Sequence, residues 1–429
     1  MTANATTRRR LQLPGPLANP LGRAGLLLLL ATVLAGLAFA LRPKPPKADL
    51  VVWTFAQTYF DAFTEPDDTG QSVADYFEDR TGLTVEVRLI DRNAIDLRLI
   101  AGGDDVADVV QLEVQPAAKF LEAPGDWFRA FEKPTVRSDR WDRDGITWGL
   151  PMDVHPVALA YRKDLLDEAG IDVRGLFFWE GIERAAADYQ RHVQSIGQPN
   201  RKLLEMSPSK SDQITLLMQM CEFSPDDVSS NSTLRLIEKL GQLYQSGQAG
   251  PTTDGHGLWA RDFVAGEVAM LWMPDWRLKY LELSAPELAG KVGLMQVPVI
   301  YYNSPVPTWG GTALFVPTSA HPAAEQLATF LATDPTALRA RAGATYIVPP
   351  VSDFEAAEND TGYFVLGDPR VLYRKLARRA SPQPIRPRDI AGWAQLSRLV
   401  SAASNGATTD ELHDQALSAK RQINRRFND

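Results

Sequence analysis

From residue 50 onward, short apolar runs alternate with amphipathic stretches. The runs at 50–55 (LVVWTF), 84–90 and 107–112 (ADVVQL) are too short for helices and read as buried strands. Between them, 72–80 is closed by Thr81-Gly82, while 93–101 is capped by Asn93 and ended by Gly102-Gly103, so both read as helices. This strand–helix–strand–helix–strand order predicts an α/β fold built on a parallel sheet with helices on its faces. Asp144-Gly145, between Trp141 and Ile146-Thr147-Trp148, has the composition of a hairpin turn. Pro151 and Pro156 bracket an extended segment, followed by a strand at 157–161 and a helix at 163–169 stopped by Gly170. Helices are expected at 180–195, 211–221 and 231–246, and strands at 292–297 and 312–316. The last sixty residues read as helical. They include a helix at 389–403 and a final one opened by a Thr408/Glu411 capping box.

The stretch 263–276, FVAGEVAMLWMPDW, combines a helix end stopped at Gly266, an apolar strand at 268–273 ended by Pro274, and Trp276 at the strand's carboxyl edge. Ligands of open α/β sheets bind along that edge, and an indole there offers a flat apolar face suited to the C–H face of a sugar ring. The competing reading is a ring packed under a loop. Trp309 and Trp393 are further candidate platforms. Gly310 and Gly311 would let backbone N–H groups approach a ligand closely, or would simply make a turn. Asp153 and His155 lie two apart on the extended segment and so share a face. Gln57 follows the first strand and Glu113 ends the third, both at the expected ligand edge.

Composition narrows the function. At 429 residues the chain can bury two substantial cores. The net charge is −8, and the four arginines ahead of residue 42 have no acidic companion, so the rest is more acidic still. Nothing there favours nucleic acid. The one cysteine, Cys221, precludes an intrachain disulfide and reads as a small buried hydrophobe. The histidines are scattered, so no metal or other cofactor is expected, and no nucleotide or hydrolase motif occurs. The basic cluster around Arg374 reads as the solvated end of a helix.

Residues 24–41 are 18 uncharged, mostly apolar residues after a basic start. They form either a cleaved signal peptide or an uncleaved anchor, with Pro43, Pro45 and Pro46 as a stiff spacer. Either way, the rest of the chain is expected outside the cytoplasm, in the cell envelope.

Several of these segments, in this order, resemble the extracellular solute-binding proteins of sugar ABC importers (family 1, maltodextrin-binding-protein-like). The carriers are FVAGEVAMLWMPDW, the PMDVHPVALAYRKDLL run, the Trp309-Gly310-Gly311 return, and the closing segment with Trp393. The resemblance spans residues 50–427. It implies a periplasmic-binding-protein-like (type II) fold of two lobes around an interlobe cleft. The division it suggests is 1–48 as signal or anchor and spacer, 49–154 plus 313–348 as the first lobe, and 155–312 plus 349–429 as the second. It also implies a non-enzymatic, monomeric protein that binds a sugar or polyol, reaches the membrane through its N-terminal segment and delivers the solute to the transmembrane subunits of an ABC permease. Trp276 and Trp393 would stack on the sugar; His155 stands where relatives often have a glutamate. The alternatives are a membrane-tethered sensory or scaffold protein on the same lobes, a non-sugar solute receptor, and an extracytoplasmic carbohydrate-active enzyme.

Overall fold

The first strand, β1 (Leu50–Thr54), is buried at all five positions, as an uninterrupted apolar run requires in a sheet covered on both faces. The computed structural model describes the chain from residue 47, except residues 104, 133, 135, 137–138, 208–210, 222–227, 253–257, 301–303, 352–353, 355–359, 366, 381, 383–384 and 428–429. Before residue 47 it describes only Leu28 and Thr32, both helical and exposed. The rest of the apolar run 24–41 and the spacer prolines Pro43, Pro45 and Pro46 lie outside the described residues. No described helix is long and apolar enough to cross a membrane.

After β1 come α1 (Gln57–Thr64) and α2 (Val73–Thr81). The second starts at Ser72, whose hydroxyl accepts the Asp75 N–H (3.2 Å) while the Asp75 carboxylate accepts the Ser72 N–H (2.8 Å), and it stops at Gly82. This reciprocal cap is worth about 1 kcal/mol. Next are β2 (Val85–Leu89), α3 (Ile95–Ala101), β3 (Val109–Glu113) and α4 (Val114–Phe120). The cap of α3 is Ala94 and not Asn93, whose N–H is committed to Asp91 Oδ1 (2.8 Å) in the preceding turn. The hairpin of β4 (Asp142–Arg143) and β5 (Ile146–Thr147) turns through Asp144 and Gly145 with φ of 53° and 76°, the primed geometry that suits strand twist. A short strand, β6 (Leu150–Pro151), leads into the first crossing.

The second half opens with β7 (Val157–Arg162), α5 (Lys163–Glu168), α6 (Trp179–Ser195), β8 (Lys202–Glu205), α7 (Ser211–Met220), α8 (Asn231–Gln245) and β9 (Ala249–Gly250). Then come α9 (Leu258–Val264), β10 (Val268–Pro274), α10 (Asp275–Ser284) and β11 (Val292–Gln296). The chain returns through β12 (Thr312–Phe315), α11 (Ala324–Thr333) and α12 (Pro335–Ala344), and ends in α13 (Pro369–Ala377), α14 (Pro387–Ser404) and α15 (Thr409–Phe427). The final helix carries the expected box: Glu411 Oε2 accepts the Thr408 N–H (2.8 Å), and Thr408 Oγ1 accepts the Glu411 N–H (3.3 Å).

Two five-stranded sheets result, ordered β2-β1-β3-β12-β6 and β11-β7-β10-β8-β9. The first is parallel through β2, β1 and β3, as expected, but mixed overall. β12 enters antiparallel, with Thr312 opposite Glu113, because the chain comes back from the other lobe at the carboxyl edge of β3. In the second sheet β7 is antiparallel to both β10 and β11. Each sheet is packed on both faces: Leu50 and Val52 of β1 join one cluster and Val51 and Trp53 another. Val157, Leu159 and Tyr161 of β7 likewise separate from Ala158 and Ala160. Leu396, Leu399 and Val400 of α14 pack into the β7 cluster, which binds the terminal helices to the second lobe.

Candidate ligand-binding site

The chain passes between the sheets near residues 151–157, 307–312 and 345–348. The first two crossings run side by side. Met152 N–H donates to Thr312 O (2.9 Å), Trp309 N–H to His155 O (3.0 Å), and Val157 N–H to Pro307 O (3.0 Å). Asp153 and His155 project from this ribbon into a sealed polar cluster. The Asp153 carboxylate accepts from Tyr59 Oη (2.8 Å), the Thr312 N–H (2.7 Å) and Thr312 Oγ1 (2.5 Å), and its side chain has no exposed area. His155 lies between two carboxylates, with Nε2 3.1 Å from Asp153 Oδ1 and Nδ1 2.6 Å from Asp275 Oδ1. The other oxygen of Asp275 accepts the Val348 N–H (3.1 Å), which ties in the third crossing. Burial opposes a charge on the ring, but the two carboxylates outweigh it and raise His155 to about 10. Burial alone would raise Asp153; the imidazolium and the hydrogen bonds outweigh it and hold this carboxyl below its usual range. His155 is therefore the imidazolium of an Asp–His–Asp bridge and is held at φ 51°, a conformation seldom adopted outside glycine. The polar atoms of Asp153 and His155 are thus bonded to one another and to the crossings.

The glycine pair lies against Arg140. Gly310 O accepts from Arg140, and a Cβ built on Gly311 (φ 117°) would sit 2.7 Å from Arg140 Nη1. The close approach that glycine permits there is by a buried guanidinium. Burial lowers Arg140 to about 10, with Asp153 pulling in the opposite direction. Gly310 nonetheless stands between two expected residues: a Cβ on it would lie 3.4 Å from Glu113 Oε1 and 3.8 Å from His155 Cδ2.

The aromatic candidates lie differently. Trp276, on the first turn of α10, is 39% exposed, and its ring meets that of Trp309 edge-to-face (centroids 6.1 Å, planes 81°). Trp309 is partly buried and set by its neighbour Thr308. The Thr308 N–H donates to Gln219 Oε1 (2.9 Å), and Gln219 Nε2 donates back to Thr308 O (2.9 Å). Trp393, on α14, is partly buried and packs against a cluster of each lobe. Glu113 is partly buried at the end of β3 and paired with the exposed Arg92. Gln57 is exposed at the start of α1 and bonded to Asp61 (2.5 Å); no described contact joins it to the others. The structure thus links Glu113, Gly310, Trp309 and Trp276 in one sequence of neighbours. A cavity of about 370 Å³ lies against the first and third crossings, Arg374 of α13 and Arg378 just beyond that helix, and of the nine expected residues only Asp153 lines it. Among the described residues no group of side chains could hold a metal ion.

Sequence reasoning missed Tyr59, Asp275 and Arg277. The last two flank Trp276 just beyond a strand buried at all seven positions, so charged residues placed there were the available signal. Cys221 is a free, half-buried thiol that burial pushes up to about 12.

Comparison with known proteins agrees with this architecture. A curated relative, the arabinooligosaccharide-binding protein of Halalkalibacterium halodurans, is 25% identical over 272 residues, which cover 58% of this chain and 59% of the relative. The match thus spans less than two thirds of that protein. The sugar-binding protein MalE from Xanthomonas citri superposes with a TM-score of 0.70 at 19% identity, over 88% of this chain and 98% of that one. The GacH receptor of Streptomyces glaucescens GLA.O gives 0.67 at 17%, over 87% and 97%. At such identities these structures establish the common two-lobe fold. The family model for bacterial extracellular solute-binding proteins matches residues 72–362, well over half the chain and including strands of both lobes, and to that family the chain belongs.

Proposed function

We propose that this protein captures a carbohydrate between its lobes outside the cytoplasm and delivers it to the permease of an ABC importer. The observation that carries the reading is the right-angled Trp276–Trp309 pair beside Gly310 and Glu113, where the second crossing meets the carboxyl edge of β3. Indole faces supply affinity for sugar C–H surfaces, while a carboxylate end supplies acceptors for hydroxyls. In this reading Trp276, Trp309 and Trp393 are platforms, and Glu113 and Gln57 face the solute from the first lobe. Asp153, His155 and Gly311 hold the crossings. The lobes divide as the sequence suggests, near 154, 312 and 348. The names of similar proteins support the ligand class: one binds arabinooligosaccharide, and a cyclo/maltodextrin-binding protein of the same fold was solved with maltotetraose. The apolar run 24–41 serves as signal or anchor and places the lobes in the cell envelope. A ligand that touches both lobes favours the closed form by its additional contacts there.

The test is titration of the purified chain with a panel of neutral oligosaccharides and polyols, read by tryptophan fluorescence and by melting temperature. Saturable binding of one sugar class with no product formed supports the proposal. Turnover of a glycan, or binding confined to non-sugar solutes, overturns it.

A further inference from the structure

Arg277 is the third residue of α10, where the positive end of a helix makes a cation unfavourable, and it is only 7% exposed. Its guanidinium is nevertheless surrounded by three indoles: Cζ lies 4.5 Å from the ring centroid of Trp309, 4.7 Å from Trp259 and 5.4 Å from Trp276. Nη1 donates to Trp272 O (3.0 Å) and lies 3.4 Å from Glu205 Oε2. Glu205 is fully buried at the end of β8 and is oriented by the Thr252 hydroxyl on Oε1 (2.8 Å). A buried guanidinium needs this much compensation to be tolerated.

The three rings reach the cation from separate parts of the chain: α9, the start of α10 and the second crossing. We infer that Arg277 is a positioning residue that fixes the angle between Trp276 and Trp309. It is the neighbour shared by both rings, and its plane offers each a cation–π contact that an alkyl side chain could not replace. The corner it holds takes one uncharged sugar ring, with its apolar face on one indole and its edge against the other. The charge behind both rings weakens the corner for ammonium-bearing sugars. This inference deepens the proposed function and rests on it for the ligand.

The test compares Arg277→Lys with the double variant Glu205→Gln/Arg277→Met, which removes the cation without stranding a buried carboxylate. Near-ultraviolet circular dichroism of the unliganded chain reads the coupled indole pair whatever the ligand is, and Trp309→Phe identifies its contribution. Maltotetraose and arabinotriose titrations read affinity, and far-ultraviolet spectra verify folding. The expected result is loss of the Trp309-dependent signal in the double variant, a partial loss in Arg277→Lys, and at least tenfold weaker binding of whichever sugar the parent binds. A Trp309-dependent signal undiminished in either folded variant overturns the positioning role. A lost signal with unchanged affinity overturns the link between the corner and the ligand. If the parent binds neither sugar nor any of the wider panel, the carbohydrate reading fails, while the spectra still decide the positioning role.

Discussion

Asp275 and Trp276 are adjacent in the chain and belong to opposite kinds of place. Asp275 has no exposure and spends both oxygens on the crossings, whereas Trp276 is 39% exposed and leaves much of an indole open. The Asp153–His155–Asp275 cluster is polar, sealed and internally satisfied; the Trp276–Trp309 corner is apolar and partly open. The difference teaches that a polar residue near a cleft is no candidate for ligand contact until its partners are counted. A half-exposed aromatic held by its surroundings is the stronger signal, because leaving it uncovered has a cost that a ligand relieves.

The sealed cluster should be the more sensitive of the two to stability. Asp275→Ala leaves His155 with one carboxylate and frees the Val348 N–H, and should lower unfolding free energy by about 3–5 kcal/mol in denaturant titration. A loss below about 1 kcal/mol would class the bridge with weak surface pairs. The corner should respond in the opposite sense. Trp276→Ala should weaken sugar binding at least tenfold, about 1.4 kcal/mol, with the denaturation midpoint nearly unchanged. Intact affinity would remove this ring from the site.

Alkali should separate the regions further. A folded-state value of about 10 for His155 against an ordinary 6.5 means that its stabilisation is complete below pH 6.5 and lost as pH rises towards 10. Asp153 and Asp275 face the ring, and Tyr59, Arg140, Arg341 and Tyr373 face one or both of those carboxylates. Tyr59 is raised well above its usual value by burial and so stays neutral through this window. Stability between pH 6.5 and 9 should therefore fall more steeply in the parent than in His155→Gln, and parallel profiles would show that the ring is not charged. The smallest effect is expected from Gln57→Ala, whose side chain is exposed and bonded only within its own helix; it should cost less than about 1 kcal/mol of binding by calorimetry. A larger loss would bring α1 into the site.

The strands were readable because β1, β7 and β10 are continuous apolar runs, and the ends of α2 and α15 because Ser72/Asp75 and Thr408/Glu411 are local devices. Where the local signal is absent, the reading stops. α1 begins at Ala56 with no side-chain cap. α10 was hidden because Pro274 was read only as a terminator, although proline is also tolerated just ahead of a helix. β8 is too short for its pattern to stand out. At the site the tryptophans were legible from chemistry and position. The commitment of Asp153 to Thr312 and Tyr59 was not, since these partners are 159 and 94 residues away. Arg277 has the same difficulty, because its role exists only once three separate rings have been brought together.

The chain of contacts from Thr312 through Asp153, His155 and Asp275 to Val348 joins all three crossings. Connectors that flexed independently would allow the lobes to twist, shear and bend. Fastened to one another in this way, they restrict the relative motions open to the lobes. In the capture proposed above, closure would then forfeit little orientational freedom, since the connectors are already tied together.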